Sequence, residues 1–254
     1  MTFTNIYHGP ARNVQSGQAV NNATAATSEN WSGYVVYGES GLFTPNDSFV
    51  FSEWIVPAVA PPVGYTCSSA TFASSQWVGF DGYGSNDVLQ AGSETNCGNS
   101  DYSWYEWYPN AETEVSVPAS PGDVMDVEVE YTTASPHGTA FISNLTLNAG
   151  TAFSFNPPSG TTYVGNSAEW ILERPTVNGA LADLPNYVID LFDSPQAYNG
   201  THYLPGGPVP PDGAIYSVTM TCPPWTPASA CASTTDISVV EPPTSDNLIF
   251  SYVF

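Results

Sequence analysis

The sequence predicts an all-β protein, an antiparallel sandwich or barrel, on three observations. From Trp31 onward, short runs rich in Val, Tyr, Phe, Trp, Ile and Thr alternate with clusters of Gly, Pro, Asn and Asp. No segment carries a convincing helical period. The chain also holds 21 Gly and 23 Pro, ample turn formers for many short strands and few helix formers. In chain order the strand candidates are WSGYVVYG, SFVFSEWIVP, SSQWVGFDG, DVLQAG, YSWYEWYP and DVMDVEVEYTT. TAFISNLTL, TAFSFN, AEWILER, NYVIDLF, AIYSVTMT and LIFSYVF complete the set. The breaker-rich stretch SPQAYNGTHYLPGGPVPPDG (194–213) is too long for a simple turn. It reads as a loop, either flanking a cleft or inert at the surface. Residues 1–28 are polar and without period, and read as an amino-terminal arm or a remnant of a pro-segment. Residues 29–254 then form a single domain, a length that β-sandwiches reach without dividing.

Charge bounds the function. The 254 residues carry 24 Asp+Glu against 2 Lys+Arg, a formal net charge of -22, and the two cations are Arg12 and Arg174. Binding nucleic acid or an anionic membrane needs a basic face, so neither is a partner. Hydrophobic residues make up 42%, enough for a sizeable core. Charged residues are only 10%, against about a quarter in ordinary domains. In acid the carboxylates protonate and little positive charge is left to repel itself, so the chain reads as one built to work at low pH. A halophilic surface carries many more charges.

Four cysteines, Cys67, Cys97, Cys222 and Cys231, form an even set without metal spacing. Disulfides in an oxidising compartment are the expectation, paired locally as Cys67–Cys97 and Cys222–Cys231. The protein is therefore expected to be secreted. No apolar run reaches transmembrane length, and the first residues lack a signal-peptide core, so any leader is expected to have been removed.

Elimination narrows the chemistry. HExxH, GxSxG, GxGxxG, the P-loop and the Asp-Thr/Ser-Gly signature are all missing, and His8, His137 and His202 are isolated in sequence. No metal or other cofactor is expected. What remains is carboxylates among aromatics. As a strand, YSWYEWYP sets Trp104, Glu106 and Tyr108 on one face, with Tyr105 and Trp107 opposite. AEWILERP sets Glu169, Ile171 and Glu173 on one face, with Trp170, Leu172 and Arg174 on the other. Glu169 and Glu173 would stand roughly 13 Å apart, too far to share a proton. A carboxyl among aromatics loses solvation and its pKa rises, which suits general acid–base work in acid. Solvated carboxylates on half-buried strands are the plain alternative for any one of these residues.

NWSGYV (30–35), WVGFDGYGSNDVLQAG (77–92), YSWYEWYP (102–109) and SAEWILERP (167–175) occur in that order. Together they resemble the glutamic peptidases, or eqolisins, which are pepstatin-insensitive acid endopeptidases. The resemblance runs from about Asn30 to the carboxyl end. It implies two large antiparallel sheets in a concanavalin A-like, lectin-like jelly roll, with a Gln/Glu catalytic pair on the concave face. Carried over by motif, the pair is Gln90 of VLQAG and Glu173, the second glutamate of AEWILE. Trp31, Trp77, Asp81, Glu106 and Glu169 fall in the other signature segments and are implied as substrate-binding or supporting residues. The Arg174-Pro175 step, where fungal members carry an acidic residue, is similar to a bacterial branch of the family.

The implied chemistry is coherent. Peptide hydrolysis needs a base for water, a donor for the oxyanion and an acid for the leaving amine. Glu173 can serve first as base and then as acid. Gln90 does not titrate and keeps its NH2 donor at every pH. The expected substrates are proteins or peptides, cleaved by a monomer. Two other readings stand beside this one. A secreted β-sandwich glycoside hydrolase would use Glu106 and Glu173 as its two carboxylates, with Trp and Tyr stacking on sugars. A non-catalytic, lectin-like carbohydrate-binding domain is the third.

Overall fold

Side-chain alternation decides the architecture. In Val124–Thr132, Met125, Val127, Val129 and Tyr131 are buried while Asp126, Glu128 and Glu130 are half-exposed. That is a strand with one face on a core and one toward water. Ala73–Phe80, Val88–Asn96 and Ser167–Glu173 are buried at every residue. Their second face must be covered by something other than the partner sheet.

The computed structural model describes residues 5–20, 22–134, 136–222, 236–243 and 246–253. Among these the strands are β1 (Ile6–Tyr7), β2 (Gln15–Val20), β3 (Ala23–Ser28), β4 (Trp31–Tyr37), β5 (Ser48–Ile55), β6 (Ala73–Phe80) and β7 (Val88–Asn96). There follow β8 (Tyr102–Tyr108), β9 (Thr113–Val115), β10 (Val124–Thr132), β11 (His137–Asn144), β12 (Ala149–Phe155) and β13 (Ser167–Glu173). The last are β14 (Thr176–Val177), β15 (Ala180–Leu181), β16 (Ile189–Tyr198), β17 (His202–Tyr203), β18 (Ala214–Thr221), β19 (Asp236–Val240) and β20 (Asn247–Tyr252).

Two large sheets face each other. One runs β2-β3-β18-β4-β13-β6-β7-β8-β9, antiparallel except at β3–β18. The other runs β12-β11-β10-β5-β16-β20-β19. β19 also pairs with β18, so the sheets join along one edge. Between them lies the main core, where Val36, Phe80, Leu89, Trp107, Trp170 and Leu172 meet Trp54, Val127, Ile142, Phe192 and Phe250. A second apolar cluster lies on the face of the first sheet turned away from the main core and includes Trp31, Val35, Trp77, Val88, Trp104 and Ile171. A small sheet, β1-β14-β15, ties Ile6 and Tyr7 to the chain just beyond β13.

The all-β sandwich agrees with expectation, and every one of the twelve runs contributes a strand. Two segments differ from their reading. The described part of residues 1–28 carries β1, β2 and β3, and β3 lies parallel to β18 inside the first sheet. Ala23 and Ala26 are its buried apolar contacts, too small to leave a hydrophobic period. The stretch at 194–213 is not a pure loop, because β16 continues to Tyr198 and pairs with β17. Cys67 and Cys97 form the expected disulfide. Cys231 of the second expected pair lies outside the described residues.

The charge reading acquires positions. On the outer face of the second sheet, Asp126, Glu53 and Asp193 stand directly opposite one another across three strands. Burial and the two aspartates raise the Glu53 pKa. Burial pushes Asp190 up to about 8, Asp81 and Asp101 to about 6, and Glu128 to about 7. These groups hold protons more tightly folded than unfolded. Their contribution to stability is complete below their unfolded values of 3.8 or 4.5 and is lost as pH rises through the folded ones. Asp190 alone corresponds to something on the order of 5 kcal/mol. The melting temperature at pH 8 should therefore lie roughly 10 °C or more below that at pH 3.5. Thermal melts across that range decide the matter; a higher value at pH 8 would show that the buried carboxyls do not govern stability.

Candidate active site

Sheet register assembles the site. Residues directly opposite one another in adjacent strands leave the sheet on the same face. Trp31 is opposite Glu173, which is opposite Ser75, which is opposite Glu94. In the neighbouring rows, Ile171, Trp77, Gly92 and Trp104 line up, as do Glu169, Gly79, Gln90 and Glu106. All face the side of the sheet that carries the second apolar cluster. The two glycines leave room for long side chains to lie across the sheet. A Cβ at Gly79 would come within 2.8 Å of the Gln90 Cβ, and one at Gly92 within 2.7 Å of the Trp77 Cβ.

Glu173 sits at the end of β13 with 1% of its surface exposed. Trp77 Nε1 donates to its Oε2 at 2.8 Å, and Asn30 Nδ2 donates to its Oε1 at 3.2 Å. The strand end is fixed from behind by Arg174, whose backbone N–H donates to the Asn30 carbonyl and whose Nε donates to the Ala182 carbonyl. Burial raises the Glu173 pKa above the ordinary carboxyl range, and the contacts from His8, Asn30 and Trp77 pull it only part of the way back. The result is one titratable carboxyl whose pKa is raised, held between fixed donors. That is the requirement for a group that must act as base and then as acid.

Gln90 lies on β7. Its Nε2 donates to the His8 carbonyl at 2.5 Å and to Glu106 Oε2 at 3.3 Å. The same Glu106 oxygen accepts the His8 backbone N–H at 2.8 Å. The Glu106 pKa is raised by burial, with the neighbouring His8 opposing the rise. Glu106 thus fixes which way the Gln90 amide points. Gln90 and Glu173 meet on one residue: His8 Nδ1 is 3.6 Å from Glu173 Oε2, while the His8 carbonyl rests on Gln90.

Residues 29–234 match the sequence model of the Peptidase A4 family. The chain belongs to the peptidase A4 family. By that membership it is an endopeptidase of the glutamic type acting on proteins or peptides. Solved structures agree in fold. A scytalido-glutamic peptidase with a transition state analog inhibitor is similar at TM-score 0.69 and 21% identity, covering 89% of this chain and 98% of that one. SCP-B, of the eqolisin family, in a complex with the tripeptide Ala-Ile-His, gives 0.62 and 22% over 89% and 98%. Aspergilloglutamic peptidase from Aspergillus niger gives 0.57 and 24% over 72% and 99%. No curated protein matches.

The remaining expected residues of this A4 peptidase divide by position. Trp31 and Trp77 meet edge to face at 4.9 Å beside Glu173. Asp81 follows β6 in a left-handed conformation with φ 68. Its carboxylate accepts the backbone N–H groups of Val164, Gly165 and Asn166. All the bonds drawn to that side chain serve the loop leading into β13, so Asp81 shapes the approach to Glu169 and Glu173. Glu169 is fully buried; burial raises its pKa, with Ser167 opposing and Asp81 adding to the rise.

Sequence reading did not single out four residues that the fold brings to this cluster. Asn30 opens the NWSGYV motif, and Trp104 shares a strand face with Glu106, so both were within reach. Glu94 lies four residues after Gln90 on the same strand face; it is fully buried and accepts a hydrogen bond from Ser75. Glu112 lies just before β9, in a loop without pattern, and only the fold brings it to His8. Among the described residues no group of three His, Cys, Asp or Glu side chains is arranged to hold a metal.

Proposed function

We propose that this chain is a secreted acid endopeptidase in which Glu173 activates water and Gln90 stabilises the tetrahedral intermediate. One observation carries the reading: a peptide carbonyl, that of His8, accepts from the Gln90 amide while the Glu173 carboxyl lies 3.6 Å from the same residue. A substrate carbonyl bound in that way has its oxygen on a neutral donor and a titratable carboxyl alongside. As a carboxylate, Glu173 takes a proton from water as the water adds to the carbonyl carbon. The Gln90 NH2 stabilises the oxyanion. Protonated Glu173 then gives its proton to the leaving nitrogen. Glu106 orients Gln90, and Trp77 and Asn30 orient Glu173. Neither step calls on a metal or cofactor. The Ala-Ile-His tripeptide held by the related SCP-B is compatible with a cleft that accepts histidyl peptides. A monomer is expected, with protein or peptide substrates and no nucleic acid or membrane partner.

The test is digestion at pH 2 to 5 of a denatured protein and, separately, of plant or fungal polysaccharides, with and without EDTA. Peptide products alone, unchanged by EDTA and by pepstatin, are expected. Reducing ends without peptides would favour the glycosidase reading, sugar retention without either product would favour the lectin-like one, and loss of activity restored by a divalent ion would overturn the mechanism.

A further inference from the structure

The face of the first sheet that carries Gln90 and Glu173 continues well past them. Along its row, Gln90 is opposite Gly79, which is opposite Glu169, then Val35, then Tyr216 on β18. Tyr37, two residues after Val35 on β4, leaves the sheet on the same side. A third ring arrives from the loop between β6 and β7. Asp81, Gly82 and Gly84 all take positive φ, at 68°, 98° and 86°, and the loop they shape sets Tyr83 against the other two tyrosines. A Cβ at Gly82 would lie 2.9 Å from a Trp31 ring atom, so the loop comes this close only as glycine.

The three tyrosines touch one another in every pairing. Ring centroids of Tyr83 and Tyr216 are 4.7 Å apart; Tyr37 meets Tyr83 at 5.9 Å and Tyr216 at 6.3 Å, both edge to face. Tyr83 is buried, while Tyr37 and Tyr216 are half-buried. All three belong to the apolar cluster of Trp31, and Trp31 meets Trp77, which holds Glu173. An unbroken apolar surface thus joins the tyrosines to the catalytic carboxyl. Polypeptide already crosses part of it. With the His8 carbonyl on Gln90, the Gly9 carbonyl accepts from Trp31 Nε1, and Ala11 N–H donates to the carbonyl of Gly82, the residue before Tyr83. A chain laid in that sense approaches the tyrosines with the residues that follow the bond at Gln90.

Resting on the Gln90/Glu173 reading, we propose that Tyr37, Tyr83 and Tyr216 form a distal subsite of the peptidase, which takes an aromatic side chain of the substrate about four to six residues past the cut bond. Strand spacing sets that distance. Tyr37 lies three strands from Gln90 and Tyr216 four, roughly 14 and 19 Å at about 4.8 Å per strand. An extended peptide advances about 3.3 Å per residue. Ring geometry sets the preference. Aromatic side chains pair offset or edge to face with centroids about 4.5–7 Å apart, so two half-buried rings can receive another ring on their open sides. An aliphatic side chain gains burial there without that geometry.

The experiment uses the 254-residue chain at pH 3 to 4 and a peptide identified in its digest of a denatured protein. The residues past the cut bond are replaced by Ala and Ser. A single Phe, or in a parallel series a single Leu, is then moved stepwise away from that bond, and product masses confirm where each peptide is cut. The expected kcat/KM peaks with Phe about four to six residues past the bond, about tenfold above Ala at the same place and above Leu, with the gain in KM. Tyr37→Leu/Tyr216→Leu, shown folded by a thermal melt, should flatten the peak, and Tyr37→Phe/Tyr216→Phe, which keeps both rings, should retain it. If the double Leu variant does not fold, Tyr216→Leu alone takes its place. A flat Phe profile from wild type that cuts every peptide overturns the subsite and leaves the peptidase reading standing. A peak that persists in the folded Leu variant, or that lies next to the cut bond, overturns it equally. A wild-type chain that cuts no denatured protein at this pH overturns the peptidase reading and the subsite with it.

Discussion

Glu173→Gln should lower peptide hydrolysis by several orders of magnitude while leaving the fold in place. The carboxyl is the one group placed to act in both steps, and general acid–base catalysis is worth roughly 10²–10⁴-fold where it serves one. The replacement is close to isosteric. Its amide oxygen still accepts from Trp77 Nε1, and the loss is confined to the side facing Asn30 Nδ2, where an NH2 now meets a donor. That mismatch costs about 1–3 kcal/mol of stability at most. The measurement is kcat on an unstructured peptide at pH 3 to 4, with a thermal melt alongside. Near-normal turnover in a folded protein would remove Glu173 from the mechanism. Glu106→Gln serves as the contrast. If Glu106 acts by orienting Gln90, its loss slows turnover less than the loss of Glu173. In a two-carboxylate glycosidase the two variants would be equally ruinous.

Much of this architecture was legible in local pattern, and the exceptions have physical causes. Alternation in VMDVEVEYT states that one face is wet, and the structure agrees residue by residue. The assignment of Glu169, Ile171 and Glu173 to one face follows from the period of a strand alone and agrees with the sheet register. β2 and β3 escaped because Gln, Ser, Ala and Thr give a strand no apolar stripe, and β3 is held by pairing with β18 more than by what it buries. His8 escaped for a different reason. It lies 98 residues from Glu106 and 104 from Glu112 in sequence, and no spacing rule connects them. Asp81 shows the limit of motif reading: WVGFDGYG marks the residue as important, but only the fold shows its carboxylate collecting three backbone N–H groups from residues 164–166.

Gln90→Ala and Gln90→Glu should fail in different ways, and the difference tests the role of a neutral donor. Truncation to Ala removes the NH2 that faces the peptide carbonyl and should cost about 10²–10³ in turnover, the usual loss for one oxyanion donor. Because Gln90 does not titrate, the shape of the pH–rate profile should survive that loss, with every rate lowered together. The carboxyl introduced by Gln90→Glu stands where Nε2 now lies 3.3 Å from Glu106 Oε2. Burial and the like charge of Glu106 raise its pKa and that of its neighbour. Ionised, it repels the developing oxyanion; protonated, it can donate to it. Activity in this variant should therefore recover as pH falls, and the optimum should move to lower pH than in the wild type. Both profiles are to be measured alongside melts that show each variant is folded. Wild-type turnover in Gln90→Ala, or an unshifted optimum in Gln90→Glu, would mean that the amide on β7 only fills space beside Gly79 and that the oxyanion is stabilised elsewhere in the cleft.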